Sequence, residues 1–261
     1  AVTVSLVTVS ANAQTIAFDQ KTLDFNGNGS ISGGTSLQFG PDGLLYVSQV
    51  NGLVKVFDIT RDEATGDYLV NSSETISLVQ SIPNHNDDGT AAAGTTTRQV
   101  TGITVGGTAG AVEVYVTSSD SRVGAGGGGG DVNLDTNSGV ITRLTRNGTG
   151  GWTAVDLVRG LPRSEENHAT NGLELVTIGT DRYLIVASGG FTNAGAPSNN
   201  FAYISEYALA GAVLAVNLTM LESMPVQTDT DSGRSYVYDL PTLDDPTRAN
   251  VNGITDPDDS G

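Results

Sequence analysis

The chain has 261 residues, 12 basic against 29 acidic side chains for a formal charge of −17, 16% charged residues, 38% apolar residues, 34 glycines and no cysteine. That charge argues against nucleic acid and anionic membranes as partners, since their phosphates repel it, and the missing cysteine excludes disulfides and thiolate chemistry. Few charges with abundant Gly, Thr, Ser, Asn and Val suit short strands joined by many turns; no long stretch carries the period of an amphipathic helix, so an all-β fold is expected.

Residues 1–13 (AVTVSLVTVSANA) are uncharged and apolar or small, and Ala11-Asn12-Ala13 before Gln14 fits a small-x-small cleavage site. They read as the tail of a secretory signal peptide, although the alternation of Val2, Val4 and Leu6 also fits an edge strand. A bacterial-type secreted or periplasmic location follows from the first reading. No other segment is long and apolar enough to span a bilayer as a helix. Thr15 to Phe18 is expected to be an outer strand. Asp24-Phe25-Asn26-Gly27-Asn28-Gly29 matches the first half of a Ca²⁺ loop, but Thr35 stands where the bidentate Glu belongs, so an Asn-Gly turn is expected there.

From Leu37 the chain repeats itself. Leu37 and Phe39 alternate into the turn Pro41-Asp42-Gly43, Leu45 to Val47 form a second strand, and Gly52 leads into a third. The pattern returns at Ile103, with Val112 to Val116 as second strand and Gly139-Val140-Ile141 opening the third. It returns again at Leu173, with a turn at Gly179-Thr180-Asp181, a strand at Tyr183 to Val186, and Gly211 to Leu214 opening the third. Units starting near 37, 103 and 173 lie 66 and 70 residues apart. Each reads as a meander of about four strands with a long loop, the organisation of a β-propeller blade. Propellers close with about four to eight blades, so residues 14–261 are expected to form a partial propeller of about three blades, truncated at its C-terminal end.

In a propeller the first strand of each blade lines the central channel. The residues just before Leu37, Ile103 and Leu173 are therefore expected to converge: Thr35 and Ser36, then Arg98, Gln99 and Thr101, then Asn167, His168, Thr170 and Asn171. His168 is one of two histidines and can accept a proton from a hydroxyl near neutral pH. The other, His85, sits in the polar sequence Asn84-His85-Asn86-Asp87-Asp88-Gly89, which reads as a plain surface turn and only weakly as a metal site. The glycine run Gly126 to Gly130 lacks the Lys-Ser/Thr of a phosphate loop; with Asp131, Asn133 and Asp135 it reads as an excursion that becomes ordered around a cation or sugar.

Residues 155–190 (VDLVRGLPRSEENHATNGLELVTIGTDRYLIVASGG) resemble the segment around the catalytic histidine of soluble quinoprotein glucose and sorbosone dehydrogenases. Leu37 to Val47 resembles that family's first blade, and Arg98-Gln99-Val100-Thr101-Gly102 its Gln-bearing approach to the second. The resemblance implies a six-bladed propeller that binds pyrroloquinoline quinone (PQQ) with Ca²⁺ and oxidises a sugar or related alcohol. It implies His168 as the base that takes the hydroxyl proton, and Gln99, Arg98 and Asn171 as cofactor contacts. The metal ligands are expected beyond Gly261. The family's Asp that orients the histidine has no counterpart in Ser188-Gly189-Gly190-Phe191, which leaves Glu166 or Glu174 as substitutes. A non-catalytic propeller that binds carbohydrate or protein is an alternative, and a Ca²⁺-dependent propeller lactonase is another.

Overall fold

The computed structural model of the chain describes residues 20–124, 130–192 and 198–240. The signal-peptide segment, the strand expected at 15–18, most of the glycine run and the acidic stretch from Asp244 lie outside the described residues.

The described chain is all-β, as its composition predicts, with one short helix. The first sheet holds β1 (Leu23–Asp24), β2 (Gly34–Phe39), β3 (Leu45–Gln49), β4 (Val54–Arg61) and β5 (Tyr68–Ile76) in the order β1-β5-β4-β3-β2. The second begins with the meander β6 (Arg98–Thr108), β7 (Ala111–Asp120), β8 (Gly139–Arg146) and β9 (Trp152–Leu161). The third is β10 (Thr170–Ile178), β11 (Asp181–Ser188) and β12 (Ala212–Asn217). Helix α1 (Leu218–Glu222) follows, its N-terminus capped by Asn217 Oδ1, which accepts from Met220 N at 2.8 Å. The strands and hairpin turns fall where the repeat predicts, and the arrangement is consistent with a β-propeller-like fold.

The third unit departs from the four-strand expectation. The chain after α1 does not return to β12; β13 (Gln227–Thr228) and β14 (Ser235–Asp239) join the second sheet instead, and β14 lies parallel to β9 with Tyr236 opposite Asp156 and Tyr238 opposite Val158. The attachment is electrostatic as well as backbone-paired. Arg234 grips Asp156 with two bonds of 2.8 and 2.7 Å, and Arg159 donates to Asp229 at 2.8 Å. β1 covers the free edge of β5 in the same parallel manner, so both outer edges are paired. The Asp24 segment is the expected turn: Asn26 N donates to Asp24 Oδ1 at 2.8 Å.

The three sheets pack face to face in sequence order. Tyr46, Val54, Val56 and Ile76 of the first sheet bury against Val100, Ile103, Val105 and Leu144 of the second. The opposite face of the second, with Tyr115, Ile141 and Leu157, buries against Leu173, Leu184 and Val186 of the third, together with Leu218 and Leu221 of α1. Alternation along the central strands sends successive side chains to opposite faces, so one sheet serves two cores. Each buried aliphatic side chain contributes about 1.5–3 kcal/mol.

The first strands carry a shared irregularity that the sequence pattern does not reveal. The pairing register slips between Gly34 and Ser36, between Val100 and Gly102, and between Thr170 and Leu173, the same place in each unit. These bulges turn a threonine outward toward the next sheet. Thr35 Oγ1 donates to Val100 O at 2.8 Å, and Thr101 Oγ1 donates to Thr170 O at 2.5 Å. Asn171 occupies the third such position. Among the described residues no helix is long and apolar enough to cross a membrane.

Candidate functional site

The loop before β10 is closed by its own hydrogen bonds. Ser164 N donates to His168 O at 2.8 Å, and His168 N returns a bond to Ser164 Oγ at 2.9 Å. Gly124 N donates to the loop's Glu165 O at 2.9 Å, and the loop's Arg163 N donates to Thr136 O at 2.8 Å. Arg163 is fully buried, and its guanidinium donates to the carbonyls of Asp120, Arg122 and Ser164. Burial pulls its pKa down to about 10 against the attraction of Asp120, Glu165 and Glu166, so it remains charged at neutral pH.

His168 is held at one nitrogen, and the other has no partner among the described residues. Its Nδ1 lies 2.9 Å from Gly190 O. A carbonyl only accepts, so the neutral ring carries its proton on Nδ1 and presents Nε2 as an acceptor. Phe201 backs the ring at a centroid distance of 4.9 Å. Gly189 is required beside it, since a Cβ there would stand 2.7 Å from His168 Cβ. The turn carrying Gly190 is fixed by Glu206, which accepts from Phe191 N, Thr192 N and Thr192 Oγ1 at 3.0, 2.9 and 2.7 Å. Burial opposes the Glu206 charge, but the bonds from Phe191 and Thr192, with the nearby His168, hold its carboxyl below the usual carboxylate range. The two expected substitutes do not orient the ring. Glu166 accepts from its neighbour Asn167 N at 3.0 Å, and Glu174 is exposed on β10 opposite Ile185. A backbone carbonyl does this work, and the chain gives no sequence signal for it.

The expected cofactor contacts divide between two faces. Arg98 and Gln99 are neighbours in β6, so their side chains point to opposite sides of the sheet. Arg98 is 1% exposed and engaged by Asn84 Oδ1 at 2.9 Å, Ser118 Oγ at 3.4 Å and the carbonyl of Ser138. Burial draws its pKa to about 10, with Asp120 and Asp135 opposing. Gln99 is 6% exposed and donates to Ser119 Oγ at 3.1 Å on the face toward the third sheet. Thr117 shares that face and donates to Asn171 O at 2.7 Å. Across from it, the paired residues Thr170 and Ser188 hold buried hydroxyls that make no hydrogen bond among the described residues, a seam suited to an ordered water. Asn171 is exposed, its Nδ2 donating to Ala169 O at 3.1 Å. The structure therefore leaves His168 and Asn171 open to a ligand, keeps Gln99 just beneath the surface, and turns Arg98 away.

Asp87, Asp131 and Glu165 place one carboxylate oxygen each within 4.8 Å of one another. Asp87 and Glu165 are buried, Asp131 is exposed, and Val132 N donates to Glu165 Oε2 at 2.7 Å. A set of hard oxygen donors fits Ca²⁺, with backbone oxygens and water completing its six to eight ligands. Glu165 stands three residues before His168, which places one member of this oxygen-donor set on the same loop as the histidine. Asp131 was legible as the acidic end of the glycine excursion; Asp87 and Glu165 meet it only through folding.

The 84–89 segment is more than a surface turn. Asn84 and Asp87 are 7% and 3% exposed, and His85 O accepts from Arg122 and from Asp135 N. The His85 ring is half-buried in a separate cleft, and burial, then Arg98 and Arg159, push its pKa below 6.5. Asp87, rather than His85, belongs to the carboxylate set.

No family model matches the chain. No curated protein matches it either. Among solved structures it is similar to the calcium structure of a Trichoderma reesei carbohydrate-active enzyme of family AA12, at 14% identity and a TM-score of 0.44, over 79% of this chain and 40% of that one. The chain thus spans less than half the length of the enzyme it matches.

Proposed function

We propose that this protein belongs to an exported β-propeller that oxidises a sugar or related alcohol with PQQ and Ca²⁺, its three sheets being successive blades of a six-bladed ring. The observation that carries this reading is His168, exposed and fixed through Nδ1 by Gly190 O, with no partner at Nε2 among the described residues. An acceptor held in this way takes a hydroxyl proton without reorganising, which is what a general base requires. Glu206 holds the turn that holds the ring, and so keeps the base in position. Asn171 offers an exposed amide beside it for a quinone or sugar oxygen. The carboxylates of Asp87, Asp131 and Glu165 would hold Ca²⁺. Bound PQQ would supply the hydride acceptor, which no side chain can provide.

The test is dye reduction by the protein reconstituted with PQQ and Ca²⁺ over a panel of aldoses. His168→Ala is expected to cut the rate by about 10²–10⁴-fold. No activity with any aldose, or activity indifferent to that substitution, overturns the reading.

The burial of Arg98 and Gln99 favours a second reading, a propeller that binds carbohydrate or protein without catalysis. Glycan binding that needs no quinone and survives His168→Ala supports it. Hydrolysis of lactones with Ca²⁺ alone would instead mark a lactonase.

A further inference from the structure

We propose that the cleft between the 82–89 loop and the β13–β14 hairpin is a second site, which binds a neutral, hydroxyl-rich ligand, a short oligosaccharide. The cleft has a volume of about 430 Å³ and lies against β9, the outer meander strand of the second sheet. That volume is in the range of small-molecule sites.

The lining excludes the other ligand classes one by one. Its apolar side chains are Ile82, Pro83, Val140 and Leu240, too few to desolvate an apolar ligand. A bound anion needs a cation not already facing anionic or carbonyl oxygens, and each of the three guanidinia here faces such partners, Arg159 both Asp229 and Asp239. Arg234 grips Asp156 with two bonds, Arg159 donates to Asp229 and lies 4.8 Å over the Tyr236 ring, and Arg98 is buried against Asn84 and Ser138. A polyamine needs uncompensated carboxylates in depth. Asp229 already accepts from Arg159, Asp231 N, Ser232 N and Ser232 Oγ, Asp156 accepts from Arg234 and Thr142 Oγ1, Asp135 accepts from Asn137 N at 2.7 Å, and Asp239 lies 3.9 Å from Arg159.

What remains, inside the exposed Asp231 at the mouth, is a wall of compensated charges with donors and acceptors interleaved. Hydroxyl groups fit that wall, because each is a donor and an acceptor. The His85 ring lines the inner side, and its two ring nitrogens offer a sugar hydroxyl a donor and an acceptor. Exposed Asp231 sits at the mouth, where a carboxylate accepts two sugar hydroxyls. The walls are preorganised: Arg234, besides gripping Asp156, donates to Leu78 O at 3.0 Å and Ser81 Oγ at 2.6 Å, tying the hairpin to the connection that leads into the 82–89 loop. The cleft draws on neither His168 nor the carboxylate set.

The experiment is saturation-transfer NMR and calorimetry on the protein with cellotriose, xylotriose and maltotriose, with spermidine and an oligogalacturonate as charged controls and no quinone present. Binding of at least one neutral trisaccharide is expected. His85→Ala and Asp231→Ala should each weaken it about tenfold, while His168→Ala leaves it unchanged. Asp231 is exposed, so its variant keeps the fold and reads the site alone. Absence of binding to all three trisaccharides overturns the proposal. So does binding confined to a charged control, or binding indifferent to both cleft substitutions. Because the readout is binding without quinone, failure here leaves the His168 reading intact, and the converse also holds.

Discussion

The contact between the first and second sheets and that between the second and third use the same parts for different ends. Both are stitched by a bulged threonine, Thr35 to Val100 O in one and Thr101 to Thr170 O in the other. Both carry an arginine–glutamate pair across the sheets, Arg146 with Glu74 and Arg182 with Glu113. The first contact adds the Trp152 indole, which donates to Glu74 Oε1 at 2.9 Å and meets Tyr46 edge-on at 6.3 Å. The second brings backbone closer to backbone than the first, where a Cβ on Gly52 would stand 2.7 Å from Arg98 O. Gly102 faces Asn171 so closely that a Cβ would stand 1.9 Å from its carbonyl oxygen. Its counterpart in the first unit, Ser36, carries a side chain. The tight, polar contact is the one next to His168, and the looser, aromatic one is remote from it. The same stitch can therefore serve packing in one place and the positioning of a reactive loop in another.

Gly102→Ala should separate the two most sharply. The clash is with backbone, which yields poorly, so a loss at the upper end of about 1–3 kcal/mol is expected in denaturant unfolding, whereas Ser36→Ala should cost little. Indifference to Gly102→Ala would mean that the second contact is not close. Next in size, Thr35→Val and Thr101→Val each remove one hydrogen bond to a strand carbonyl and should cost about 1 kcal/mol. Equal losses would support one shared device, and a loss at only one site would break the equivalence. The smallest effect is a titration. His85 lies beside the first contact with its pKa lowered by burial and by Arg98 and Arg159. The unfolded chain therefore binds the proton more readily. His85 is expected to oppose folding increasingly as pH falls below about 6.5, levelling off below its folded pKa. NMR titration should place the His85 midpoint below 6.5, and His85→Gln should remove that resonance and flatten the decline in thermal stability over the same range.

The repeat was readable because strand periodicity and turn residues are local. Leu37, Ile103 and Leu173 each open a first strand within a few residues of where the alternation places them. The site was readable only in part. His168 was found because histidine is scarce and its segment resembles a known one. Arg98 and Gln99 were read together from adjacency, which strand geometry reverses by sending neighbours to opposite faces. Gly190 O and Glu206 left no trace, since a carbonyl has no residue identity and Glu206 lies beyond a long insertion.

The sequence by itself determined an all-β chain, the places of its hairpins and the residues that alternate into its cores, because these depend on neighbours two to ten residues apart. Only the tertiary structure decided that β14 leaves the third unit for the edge of β9, that Asp87, Asp131 and Glu165 meet, and that Gly190 holds His168. Each of these joins groups far apart in the chain, and their partners are chosen by open sheet edges, compensated charge and close packing, which no local pattern records.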